Sequence, residues 1–150
     1  MKEILKNIFY IFFPLLVGTV VGFAISGSID YNTLTKPPLS PPSILFPIVW
    51  SILYLLMGIS YYLFKRNNND NTISFIYYLQ LFVNAMWSII FFLWELRFLA
   101  IIWILLLDVL VILLIYLFFQ KSKISSYLNI PYLIWLLFAT YLTIGIYILN

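Results

Sequence analysis

Five long apolar stretches, about Leu5–Ile25, Ser43–Phe64, Ile73–Trp94, Phe98–Phe119 and Ile130–Leu149, take up most of this chain, and its charges fall almost entirely at their ends and between them. An α-helix needs roughly 20 apolar residues to cross a hydrocarbon layer about 30 Å thick, and each stretch is long enough. No water reaches the backbone inside that layer, so a crossing segment must satisfy its own N–H and C=O groups as a helix. Hydrophobic residues make up 65% of the sequence and charged ones 9%, whereas a water-soluble domain carries about 25% charged. A core built from 150 residues cannot hide that much apolar surface. The expectation is an all-α integral membrane fold, a five-transmembrane-helix bundle forming a single domain over residues 1–150 in the cell membrane.

The sequence has no cysteine and no histidine, which excludes thiol nucleophiles, disulfides, imidazole bases and the usual ligands of zinc, copper and haem. Neither a metal site nor a cofactor is expected. The net charge of +3 comes from basic residues at the edges of the apolar stretches rather than from a basic run. Membrane lipid is therefore an expected partner and nucleic acid is not.

The first stretch, with Lys2 and Lys6 before it and Ala24-Ile25-Ser26 at its end, also has the outline of a signal peptide. Its apolar run is long for that role, and a retained helix is expected. Lys2, Lys6, Lys65, Arg66, Lys121 and Lys123 lie on the side of the N-terminus, against Lys36 and Arg97 on the other. The positive-inside rule then places the N-terminus in the cytoplasm and the long first loop, Ser26 to Pro42, outside. Ser40 is the expected cap of the second helix, with Pro41 at its first position. Pro47 should remove a backbone bond and kink that helix near Ser43, opening room beside Trp50. Ser125 or Ser126, followed by Pro131, should start the last helix.

Polar groups inside apolar spans are costly unless they face the bundle or a ligand. Gln80, Asn84 and Ser88 recur every four residues of the third span, and with Tyr77, Trp87 and Phe91 they fall within a sector of roughly 100°. Such a face serves equally well as interhelical glue or as a ligand site. Trp50, Tyr54, Met57, Gly58 and Tyr61 form a stripe on the second span, and Trp135, Phe138, Ala139 and Leu142 one on the fifth. Three converging faces of this kind make a mostly apolar pocket suited to a flat aromatic ligand, although aromatic stripes more often simply pack. Asp108 sits mid-membrane with no intramembrane base beside it. Gly18, Gly22 and Ser26 form a small-residue seam suited to close packing within the bundle or, less often, to a homodimer.

Three blocks of residues are similar to one known family, that of the translocator protein or tryptophan-rich sensory protein (TspO/MBR), also called the peripheral benzodiazepine receptor family. The first is Lys36-Pro37, Pro41-Pro42, Phe46-Pro47, Val49-Trp50, Leu53-Tyr54 and Met57-Gly58. The second is Gln80-Leu81, Asn84, Trp87-Ser88 and Phe91-Phe92. The third is Pro131-Tyr132-Leu133, Trp135 and Phe138 to Leu142. The resemblance implies a five-helix bundle with a cavity, capped by the first loop, that binds porphyrins, synthetic aromatic ligands and, in some members, sterols. It puts Tyr31, Trp50, Asn84, Trp87, Trp135 and Ala139 at the pocket. It further implies protoporphyrin or a related tetrapyrrole as partner. Some bacterial members are linked to light-dependent breakdown of protoporphyrin, for which Trp50 and Trp135 would be the catalytic residues.

This chain departs from the family pattern in places. Leu39 and Ile44 stand where tryptophans are usual around the Pro-Pro of the first loop, and Trp103 where an aspartate is usual. Thr143 replaces an asparagine, and no Lys or Arg follows Tyr147, so cholesterol is not an expected ligand. The expected function is a receptor or sensor for porphyrins and flat aromatics, ahead of a porphyrin-degrading photoenzyme and a transporter.

Overall fold

A computed structural model describes residues 1–28 and 31–150. Its elements are α1 (Lys2–Ile25), a short 3₁₀ turn (Tyr31–Thr33), α2 (Leu45–Asn67), α3 (Asn71–Ser88) continued by a π turn (Ile89–Leu93), α4 (Arg97–Lys121), α5 (Lys123–Leu128) and α6 (Ile130–Leu149). Counting α3 with its π turn, and α5 with α6, gives five spans long and apolar enough to cross a membrane. The described residues contain no strand.

The sequence accounts for most of the boundaries. Asp70 caps α3, its carboxylate accepting from the backbone N–H of Thr72 at 2.9 Å and of Ile73 at 3.1 Å, which satisfies two donors that a helix start leaves free. Two expectations at the start of α2 are corrected. Ser40 does not cap α2, because its hydroxyl donates back to the Pro37 carbonyl at 2.7 Å and the helix begins at Leu45. Pro47 is thus the third residue of α2, where the backbone N–H has no helical partner to lose, so it imposes no kink. The last long helix, α6, runs over Ile130–Leu149 as expected, with Pro131 in its first turn, and a short helix capped by Ser122 precedes it, so that Ser125 and Ser126 lie inside α5 rather than at the start of α6.

Ser125 and Ser126 instead serve the interior. Ser125 donates to the Ser60 carbonyl at 2.7 Å, Ser126 to the Ile115 carbonyl at 2.8 Å, and Asn129 to Ser60 Oγ at 2.8 Å. Thr140 donates to Asp108 Oδ2 at 2.8 Å, joining α6 to α4. Trp103 donates to the Val83 carbonyl at 2.9 Å, joining α4 to α3. Polar side chains in apolar surroundings find each other because no solvent competes for them. Around them Met57, Phe64, Tyr77, Phe118, Tyr132 and Leu136 form a core closed to solvent. The outer faces, such as Phe12 and Val20 of α1 and Val109 and Ile112 of α4, are exposed and apolar, the surface that membrane-embedded helices present to lipid.

Helix α1 packs chiefly on α2, at a crossing with no room to spare. A Cβ on Gly58 would overlap the backbone carbonyl of Ile11, and one on Gly18 would overlap the Tyr54 ring. Tyr10 meets Tyr61 edge-on at 5.1 Å just below. The small-residue seam is therefore divided. Gly18 is a packing position, whereas a Cβ at Gly22 meets no atom within 4 Å.

Gly58→Ala should lower thermal stability in detergent by about 1–3 kcal/mol, the usual cost of overpacking, because the obstacle is backbone rather than a flexible side chain. Gly27→Ala, with nothing within 4 Å, should leave the melting temperature unchanged. Equal melting of both variants would remove this crossing as the tightest point of the bundle.

Candidate functional site

Beyond the Gly58 crossing, α1 and α2 part, and the space between them is closed on the far side by the outer end of α3, its π turn and α6. The result is a cavity of about 590 Å³, within the range of sites that hold drug-sized ligands. Trp50 and Tyr54 form one wall as a stacked pair at 5.4 Å and 29°. Trp87 and Phe91 form another, at 5.6 Å and 24°. The π turn runs through the second wall: Trp94 N–H bonds the Ile89 carbonyl at 2.9 Å, five residues back, which widens the helix there. Ala139, Leu142, Thr143 and Ile146 of α6 line the cavity too, as do Gly18 and Gly22 of α1.

The first loop roofs the cavity. Tyr31, buried and in edge contact with Phe46 at 5.1 Å, lines the site. It donates to the Pro41 carbonyl at 2.9 Å. Burial outweighs a smaller, opposite influence of the nearby Ser40 hydroxyl and raises the Tyr31 phenol above its ordinary range, so the hydroxyl stays neutral. Lys36 donates to the Tyr31 carbonyl at 3.0 Å and lies 4.7 Å from its ring centroid. Latches hold the roof to α6: Asn150 and Thr35 exchange bonds at 3.1 and 2.7 Å, Tyr141 donates to the Pro38 carbonyl at 2.7 Å, and Pro37 packs on Gly145.

Below the cavity a ladder of polar side chains ties three helices together. Tyr54 donates to Asn84 Oδ1 at 2.6 Å, Asn84 Nδ2 to Tyr132 Oη at 2.7 Å, and Tyr132 to Gln80 Oε1 at 2.9 Å. Gln80 Nε2 closes it on the Met57 sulfur at 3.3 Å. Higher up, Thr19, Ser26, Ser51 and Thr143 turn their hydroxyls onto carbonyls of their own helices. Among the described residues no side chain lining the cavity carries a charge, and no cluster of metal-ligating residues occurs. Such a site binds by shape and ring stacking, with indole and phenol as its oxidisable groups.

Of the residues singled out in the sequence, Tyr31, Trp50, Tyr54, Trp87, Ser88, Phe91 and Ala139 line the cavity. Gln80 and Asn84 lie in the ladder beneath it. Trp135 and Phe138 stand behind Phe46, with Trp135 at 5.9 Å from Phe46 and 5.5 Å from Phe138. Phe46, Gly18 and Gly22 had not been singled out as lining positions. For Phe46 the signal was its place in the first family block, and for the glycines it was the small-residue seam.

The sequence profile of the TspO/MBR family matches residues 10–149. The chain is 37% identical over 152 aligned positions to Tryptophan-rich protein TspO of Archaeoglobus fulgidus, covering 99% of each. It is 32% identical to the protein of the same name from Bacillus cereus, covering 100% of this chain and 99% of that one. The Translocator protein homolog of Schizosaccharomyces pombe is 30% identical over 91% of this chain and 87% of its own.

Asn84→Leu should cost about 1–3 kcal/mol of thermal stability, because it leaves the buried Tyr54 hydroxyl without its acceptor. Tyr54→Phe added to Asn84→Leu should recover part of the loss, a coupling that a double-mutant cycle measures directly. Strict additivity would show that the two groups do not depend on each other.

Proposed function

The chain belongs to the TspO/MBR family, and we propose that this multi-pass membrane protein is a receptor that takes porphyrins and other flat aromatic molecules into the cavity between α1, α2, α3 and α6. The observation that carries the reading is the pairing of two stacked aromatic walls, Trp50–Tyr54 and Trp87–Phe91, around a space that no charged side chain lines among the described residues. A planar macrocycle offers large faces to such rings, and offset stacking adds about 0.5–1.5 kcal/mol per pair beyond area burial. The whole membrane domain acts as one unit, its roof held by the helix that lines the far wall.

One observation favours a second reading. The Trp50 indole stands in the cavity wall, stacked on Tyr54, where it can be oxidised by an excited ligand. In that case the protein is a photo-oxidative porphyrin-degrading enzyme in which Trp50 passes an electron to the excited porphyrin and dissolved dioxygen is the oxidant consumed in opening the ring, with Trp135 one ring further back behind Phe46. Purified protein mixed with protoporphyrin, followed by absorbance in darkness and under steady light, separates the readings. A receptor binds and does not bleach, and an enzyme bleaches in proportion to protein. Protein that leaves the porphyrin spectrum untouched in both conditions would remove both.

Trp50→Phe should weaken protoporphyrin binding about 2- to 10-fold, the loss of one indole stacking surface. Trp135→Phe should change affinity less, since Phe46 intervenes. Fluorescence quenching in the dark measures both, and a larger loss at Trp135 would mean that the ligand lies outside the described cavity.

The same reading places the roof on the extracytoplasmic side, supported by the basic residues near Lys2, Lys65 and Lys121. In a chain without cysteine, Lys36→Cys should react with an impermeant maleimide on intact cells and Lys65→Cys only after lysis. The opposite pattern would invert the topology.

A further inference from the structure

Among the described residues the first loop covers the cavity from above, with Ser26 and Ser43 exposed at its edge, and the cavity is open to the side. Its roof is latched to α6 at Thr35–Asn150, Pro38–Tyr141 and Pro37–Gly145. Among the residues that line it, those on α6 are buried and those on α3 and its π turn are buried or half-buried, whereas Thr19, Gly22 and Phe23 of α1, Ser26 at its outer end, Ser43 just before α2 and Pro47 and Ser51 of α2 are exposed. A residue that lines a cavity and is also exposed marks its rim, so the aperture lies between α1 and α2. Two features of the sequence create it. The helices are pinned at Gly58 and Gly18 and carry nothing bulky at Gly22, and Pro14, inside α1, removes a backbone bond below the point where they part.

The aperture also lies at membrane depth. At 1.5 Å per residue, Thr19 is about 9 Å from the outer end of α1 and Ser51 about 9 Å from the start of α2, well inside a layer about 30 Å thick. Its hydroxyls do not offer protons to the opening, because Thr19 donates to the Leu15 carbonyl and Ser51 to the Pro47 carbonyl. Phe23, Ile48 and Ile52 flank it as exposed apolar side chains.

We propose that the ligand passes in and out through this slit between α1 and α2, directly from the hydrocarbon of the membrane, while the roof stays shut. The inference rests on the receptor reading above and narrows its ligand class to aromatic molecules that partition into lipid before they are bound. Water-confined aromatics of the same shape do not reach the cavity.

Gly22 is the position to test, because a side chain added there meets open space and replaces a helical glycine with a better helix former. In vesicles containing the full chain, Gly22→Phe should slow both association and dissociation of protoporphyrin about tenfold or more. Gly22→Leu is the milder variant and should slow them less. Asn150→Ala, which frees one roof latch, should leave both rates unchanged. Unaltered rates in the glycine variants, faster dissociation from a merely filled cavity, or faster exchange on freeing the roof would each overturn the slit. A second readout needs no porphyrin. Acyl chains brominated along their length should quench tryptophan fluorescence more in wild type than in Gly22→Leu, and the difference should shrink in a Trp50→Phe background and vanish when Trp87→Phe is added, since these two indoles line the cavity. Equal quenching with Trp50 in place refutes lipid access to the cavity. Wild type that gives this difference yet binds no protoporphyrin keeps the slit and removes the receptor reading instead.

Discussion

Inside a membrane an unpaired polar group has no water to fall back on, and the ladder Tyr54–Asn84–Tyr132–Gln80 is where this protein meets that constraint most fully. Each side chain is buried and each finds its partner on another helix, so α2, α3 and α6 are fixed at one level with respect to each other. Below the ladder the bundle is packed aromatic core. Above it the same helices are free to diverge, and the cavity begins. Tyr54 belongs to both regions, since its ring faces the cavity while its hydroxyl ends the ladder. A ligand stacked on Trp50 and Tyr54 therefore rests on a floor that cannot shift without breaking buried hydrogen bonds.

The spans were legible because length and apolar content alone determine whether a segment can cross lipid, and those properties are local. The helix starts were less so. Ser40 looks like a cap on local grounds, but its neighbourhood folds into the roof, and a serine that can bond the Pro37 carbonyl does so. Pro47 looked like a kink only while the helix was taken to begin before it. Ser125 and Ser126 read as a start signal and proved to be interior donors to Ser60 and Ile115, a role set by residues far away in sequence. For the site, the periodicity that placed Gln80 and Asn84 on one face with Trp87 and Phe91 was sound, yet it left open whether amides meet a ligand or each other. That choice depends on Tyr54 and Tyr132 arriving from α2 and α6. The α1 wall was least legible, since Gly18 and Gly22 contribute by what they omit.

Where the chain departs from the pattern of its family, the substitutions have visible structural roles. Trp103 replaces an acid with an indole that ties α4 to the Val83 carbonyl of α3. Thr143 replaces an amide and returns its proton to the Ala139 carbonyl, which leaves the α6 wall without a free donor and makes the cavity more apolar. Leu39 stands at the tip of the roof with φ of 69° and its side chain exposed. A left-handed leucine costs on the order of 1 kcal/mol, and the hydrogen bonds on either side of it, from Tyr141 to the Pro38 carbonyl and from Tyr31 to the Pro41 carbonyl, hold it there.

The π turn at Ile89–Leu93 has an implication for how the sequence can vary in length. A π turn accommodates one residue more than the regular spiral would, and each residue of α-helix turns the chain by about 100°. Trp87 precedes the turn and Phe91 lies four residues on within it, a spacing that keeps both on the cavity face in a regular helix and in a π turn alike. The extra residue is therefore felt beyond the wall, where Trp94 N–H reaches back to the Ile89 carbonyl and Leu96 N–H to the Ile90 carbonyl as the chain leaves the helix. A chain shortened by one residue between Ser88 and Leu93 could form a smoother helix with every backbone bond in place, and it would bring Phe91 to three residues from Trp87 and draw in the connection to α4. Insertions and deletions are usually tolerated in loops, but here the residue count that joins two spans is set at the outer end of a helix.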